Sequence, residues 1–256
     1  SDTLNALSTH TIRGYIETED HDTAVWFNGK VDITVMDKIQ TIKTRDNDEN
    51  NESYKTRIDY LDYPNTLFSG QTDVVDGKFE LTFMIPKDIR YNYGNGRIVY
   101  YAYDEDSREE AIGHYEDFIV GGSSSVVKQD TIGPELHIYL NNPAFTDGDQ
   151  TYEFPHFYAE IYDENGINTA GAGIGHDLML IVDDDPKQIY TLNEYFTAAN
   201  SSYQDRQVSY LMEALPDGPH TLTFRAWDLL NNSTTQALNF IVEEGLDPSI
   251  SSVTTY

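Results

Sequence analysis

Eight stretches of this chain alternate apolar and polar residues with a period of two, and that pattern constrains the fold more than any other feature. "KVDITVMD" puts Val31, Ile33 and Val35 on one face, and "GKFELTFMIP" does the same with Phe79, Leu81, Phe83 and Ile85. "RIVYYAYDE" sets Ile98, Tyr100 and Ala102 against Val99, Tyr101 and Tyr103. The remaining five are "PELHIYLN", "HFYAEIYDE", "DLMLIVDDD", "HTLTFRAWD" and "ALNFIVEE". Successive strand side chains point to opposite faces, so this spacing predicts half-buried antiparallel strands. Nineteen tyrosines and eleven phenylalanines add to the preference for sheet.

Turn signals fall between the stretches: Asn28-Gly29, Asp76-Gly77, Asn95-Gly96, Asn165-Gly166 and Asp217-Gly218. Helical periodicity is confined to short pieces, "PKDI" at 86–89 and "LNEYFTAA" at 192–199. The expected fold is all-β, with two antiparallel Ig-like β-sandwich domains in tandem. The first spans 1–122, with strands from about residue 9. The small, polar stretch 123–133 is the linker, 134–244 the second domain and 245–256 a loosely held tail. "TRDNDENNESYKTR" at 44–57 reads as a charged loop.

Sixteen basic residues against forty-four acidic ones leave a net charge of −28. Such a surface repels phosphate backbones, so nucleic acid is not an expected partner. With no cysteine, disulfides, thiolate metal sites and cysteine nucleophiles are excluded within the chain. No apolar run approaches the roughly 20 residues that span a bilayer as a helix, so the chain is not expected to be membrane-spanning. It opens on Ser1-Asp2 with no charged-then-apolar leader, which reads as a segment of a longer protein.

"GINTAGAGIGHDL" at 166–178 is the most glycine-dense run. A phosphate loop would follow a strand and open a helix. Here Gly171, Gly173 and Gly175 recur at every second residue, no Gly-Lys-Ser/Thr follows, and a strand pattern comes next. The run is therefore read as architecture between two strands. Seven histidines show no metal-ligand spacing, and no Gly-x-Ser-x-Gly elbow exposes a serine. No cofactor motif and no catalytic set is expected in this chain.

Calcium is the one cation the sequence suggests. Hard cations take carboxylate and carbonyl oxygens. The acidic turns "DENG", "DDD" and "WDLLNN" offer them, and a site is expected where Asp163 and Asn165 meet Asp228 and Asn231. The competing reading is that these residues cap their own turns. Tyr91, Tyr93, Tyr101 and Tyr103 in "IRYNYGNGRIVYYAYD" could form a sugar-stacking platform; cross-strand pairing is the alternative.

"IPKDIRYNYGNGRIVYYAYDED", "GHYEDFIVGG", "DTIGPELHIYLNN", "DENGINTAGAGIGHDLMLIVDDD", "YTLNEYFTA" and "LPDGPHTLTFRAWDLLNNS" together resemble the region after the peptidase domain in PorU-type sortases of the type IX secretion system. "DTLNALSTHTIRGYI" and "FNGKVDITVMDK" extend the match from Asp2 to Val242. The resemblance implies a gingipain-like cysteine peptidase of Bacteroidetes, exported and held at the outer-membrane surface. That enzyme would cleave C-terminal sorting domains from cargo and join the cargo to lipopolysaccharide. Its catalytic histidine and cysteine would lie upstream, so no catalytic residue carries over to this chain. The implied partners are the upstream peptidase domain, an outer-membrane barrel shuttle protein and other attachment-complex subunits. The tail would lead into a C-terminal sorting-type domain. Asp2-Thr3-Leu4, Asp22-Thr23-Ala24 and Asp130-Thr131-Ile132 resemble the O-glycosylation triplet of these bacteria. The chain is then expected to be a structural and docking module, with a carbohydrate- or lipopolysaccharide-binding module as the alternative.

Overall fold

The structure is a computed structural model that describes residues 3–45, 57–124, 130–169, 175–198, 202–243 and 245. The chain forms two compact units. The first comprises Ser1–Gln129, Ala170–Ile174 and Asn200–Tyr203; the second comprises Asp130–Thr169, Gly175–Ala199 and Gln204–Tyr256. The expected tail, apart from Gly245, and most of the charged loop lie outside the described residues.

The first unit holds β1 (Thr3–Ala6), β2 (Thr9–Tyr15), β3 (Gly29–Met36), β4 (Gln40–Lys43), β5 (Asp59–Asp62), β6 (Thr66–Val74), β7 (Lys78–Met84), β8 (Gly94–Asn95), β9 (Arg97–Tyr103), β10 (Glu110–Tyr115) and β11 (Ile119–Ser123). Its largest sheet runs β10-β9-β3-β6, beside the sheet β1-β11-β8 and the pairs β2-β7 and β4-β5. The alternation read in β3 is realised: Val31, Ile33 and Val35 are fully buried. Stacking of Phe68 on Phe83, with centroids 4.9 Å apart, joins β6 to β7 within this core. Asp76 and Gly77 both take positive φ, 49° and 70°, between the bridged residues Val75 and Lys78. That is the primed turn that suits a right-twisted hairpin. Lys38 and Asp37 form a buried ion pair at 2.7 Å, and Lys38 also donates to the Arg90 carbonyl.

The second unit holds β12 (Glu135–Leu140), β13 (Gln150–Thr151), β14 (His156–Tyr162), β15 (Met179–Val182), β16 (Ile189–Thr191), β17 (Phe196–Ala198), β18 (Asp205–Leu211), β19 (Gly218–Trp227) and β20 (Ser233–Val242). Two sheets, β12-β14-β18-β17 and β13-β20-β19-β15-β16, share one core. Phe157 of the first meets Phe224 of the second with ring centroids 5.2 Å apart. Leu222, Phe224 and Ala226 on β19 are fully buried, while Thr221, Thr223, Arg225 and Trp227 face outward. One buried and one wetter face per strand is what a sandwich layer requires.

Three details depart from the sequence reading. Two strand pairs are parallel, β1 with β11 and β13 with β20, where all pairs were expected to be antiparallel. Neither short helical piece forms: 86–89 is a turn, and 192–198, the described part of the second, is a turn followed by β17, which pairs with β18. Pairing with a neighbouring strand overrides a local preference over so few residues. Asn95-Gly96 is not a hairpin turn, because Asn95 pairs with Ile119 and β9 begins at Arg97. Among the described residues no helix is long and apolar enough to cross a membrane.

Candidate functional site

Three turns of the second unit converge. Asp163 follows β14, and its Oδ1 accepts the Asn165 amide at 2.7 Å while its carbonyl accepts the Gly166 amide. Gly166 has φ of 100°, so this Asx-turn uses the Asn-Gly pair in the manner the sequence suggests. Asp228 follows β19 and caps a second turn, where its Oδ1 accepts the amides of Leu230 and Asn232. Its Oδ2 accepts from the Asn232 side chain at 2.7 Å. A bridge between Ile167 and Asp228, with Leu229 donating to the Gly166 carbonyl, holds the turns side by side.

The third carboxylate is Asp130. It offers an oxygen within 4.8 Å of those of Asp163 and Asp228. Asn165 Nδ2 donates to Asp130 Oδ2 at 2.6 Å, and Asn232 Nδ2 reaches the Asp130 carbonyl at 3.3 Å. Asp163 and Asp228 are buried and Asp130 is half-buried. Burial is the main force on Asp163, pushing its carboxyl up to about 6, and the charges of Asp228 and Asp130 add to it. Burial also raises Asp228, with Asp130 adding, against the hydrogen bonds from Asn232 and Leu230.

Of the four residues expected to hold calcium, Asp163 and Asp228 are brought together and Asn165 sits beside them. Asn231 takes φ of 74° at the turn, and the amide that bonds Asp228 belongs to Asn232. Sequence reasoning placed Asp130 in the linker and missed its part here; its signal was the Asx-turn it makes with Ile132. The third acidic turn is separate: Asp183 and Asp184 have positive φ, and Asp183 pairs with buried His220 at 2.7 Å.

The four tyrosines split. Tyr101 and Tyr103 lie together on the outward side of β9, with centroids 6.0 Å apart, and Gln71 donates to Tyr103 Oη and Asp32. Tyr91 and Tyr93 precede β8 on an exposed segment, with the Tyr93 hydroxyl over Gly122. Of the glycine run, Gly171 and Gly173 lie outside the described residues, while Gly175 sits in a turn at φ 87° before β15. Among the threonines of the expected glycosylation triplets, Thr131 is exposed and Thr3 and Thr23 are half-buried.

No family model matches the chain, and no curated protein matches it. Among solved structures, it matches a crystal structure of dimeric latent PorU from Porphyromonas gingivalis, with a TM-score of 0.56 and 33% identity over 97% of this chain. The chain is PorU-related. It spans 23% of the PorU chain it matches. At that identity the likeness covers sequence as well as fold.

Proposed function

We propose that this chain is a non-catalytic structural and docking module of a cell-surface sortase of the type IX secretion system. The carrying observation is the likeness to PorU along nearly the whole chain. In this reading the active site that cleaves sorting domains and attaches cargo to lipopolysaccharide lies in an upstream peptidase domain, and the present chain supports and docks it. The chain's own chemistry supports that assignment. It has no cysteine to act as nucleophile, and the buried Asp163 and Asp228 cap their own turns. The module works at the outer membrane, beside the barrel shuttle protein and the other attachment subunits.

The experiment is to mix the purified chain with a separately produced peptidase region of the sortase and run size-exclusion chromatography. Co-elution with no peptidase activity in the isolated chain is the expected result. Hydrolysis of a sorting-domain substrate by the chain alone would overturn the non-catalytic assignment.

A further inference from the structure

His220, near the start of β19, is the buried histidine among the described residues, and its ring meets an acceptor at each nitrogen. Nδ1 stands 2.7 Å from Asp183 Oδ2, and Nε2 stands 2.7 Å from the Pro216 carbonyl oxygen. A carbonyl oxygen cannot donate, and neither can an ionised carboxylate. Both contacts are therefore hydrogen bonds only when the ring carries a hydrogen on each nitrogen or shares one with Asp183. Either way the pair holds one proton more than a neutral ring beside a bare carboxylate. The ring is fixed in place by Phe240 of β20, on which it stacks with centroids 5.5 Å apart. Its side chain is 6% exposed and that of Asp183 is 38% exposed, so the carboxylate connects the buried ring to water.

The carboxylate that takes this proton also fastens a turn. Asp183 Oδ1 accepts the Thr221 amide at 2.8 Å, and the Asp183 amide donates to the Thr221 carbonyl. Asp183 and Asp184 stand at φ of 53° and 54°, in the left-handed region that is uncommon for residues other than glycine. We propose that His220 is a proton-operated latch, which closes the turn at 183–188 onto β19 while the extra proton is present and releases it when that proton leaves at higher pH. A neutral ring has one N–H. With that hydrogen on Nε2, toward Pro216, the bare Nδ1 faces a carboxylate oxygen and the two lone pairs repel. Asp183 is the side that parts, because water can take over its partly exposed carboxylate. The other ionisable groups of these segments are Asp184, Asp185 and Lys187 in the same turn and Asp217 after Pro216, and β20 sets the uncharged Phe240 against the ring. The latch concerns the second unit alone and stands apart from the docking reading.

Long-range proton–nitrogen NMR of the seven histidine rings, on the whole chain from about pH 5 to 9, reads the latch directly. His220→Gln assigns the His220 signals. At the acid end both His220 nitrogens should carry hydrogen, and at the alkaline end only Nε2 should. The amide signals of Asp183 and Thr221 should move on the same curve. Protection of the Thr221 amide from exchange, corrected for the intrinsic rate, should fall about tenfold between the two ends. Asp183→Asn supplies the decisive comparison. Its side-chain nitrogen can donate to the bare Nδ1 while its oxygen keeps the Thr221 amide, so the turn should stay closed across the range. Asp184→Asn removes a charge from the same turn and should leave the wild-type curve in place. Unchanged Leu222 and Phe224 amide signals report an intact fold in each variant. A His220 ring that keeps one protonation state throughout overturns the proposal, as does a ring titration that the Asp183 and Thr221 amides do not follow. An Asp183→Asn chain whose Thr221 amide still follows pH overturns it too.

Discussion

The Asn165 side-chain amide donates to Asp130 Oδ2 at 2.6 Å, and this bond ties the first residue of the second unit to the turn after β14. It also draws Asp130 toward Asp163 and Asp228, so three carboxylates share a space less than 5 Å across. Such a cluster favours a bound proton or a bound cation over three bare charges.

A pH dependence follows. The folded Asp163 carboxyl is raised to about 6, against about 3.9 in an unfolded chain. The folded state therefore holds the proton more tightly, and this contribution to stability is fully present below about pH 4. It is lost as pH rises through about 6. Discounted for the solvent that reaches the rim, the loss is on the order of 1 kcal/mol. Urea unfolding at pH 4.5 and 7.5 should show it, and Asp163→Asn should flatten the difference.

Calcium should reverse that loss where protons no longer fill the cluster. At pH 7.5, millimolar calcium is expected to raise the melting temperature of the wild-type chain and to leave Asp163→Asn unchanged. Calorimetry with no heat on calcium addition, and no change in melting, would rule calcium out of this cluster.

Asp228 caps its turn through three bonds, from the Leu230 amide, the Asn232 amide and the Asn232 side chain. Asp228→Ala strands buried donors and should cost about 2–3 kcal/mol by urea unfolding. Asp228→Asn keeps the acceptor oxygen and should cost less.

Much of this architecture is legible in the sequence. The period-two stretches mark β3, β7, β9, β12, β14, β15, β19 and β20, because each strand needs one buried face and the pattern records it. The parallel pairs β1–β11 and β13–β20 leave no such mark, since pairing partners far apart in sequence are fixed by tertiary packing. The cluster was half legible. Asp163 and Asp228 sit in recognisable turns, but Asp130 lies 33 and 98 positions away from them in polar sequence that reads as linker.

The hairpin at Gly77 should tolerate no side chain. Its φ is +70°, and a Cβ there would stand 2.4 Å from the Ala24 carbonyl oxygen. Gly77→Ala should cost about 1–2 kcal/mol or more, measured by thermal unfolding.

The measurement that tests the central claim most directly is a pull-down from solubilised outer membranes of a bacterium carrying the type IX secretion system, with the purified chain on the resin, read by mass spectrometry and lipid analysis. Recovery of the barrel shuttle protein and other attachment-complex subunits is the predicted result. Recovery of lipopolysaccharide without those proteins would contradict the docking account and move the function to the sugar-binding alternative, with Tyr101 and Tyr103 as its first residues to test.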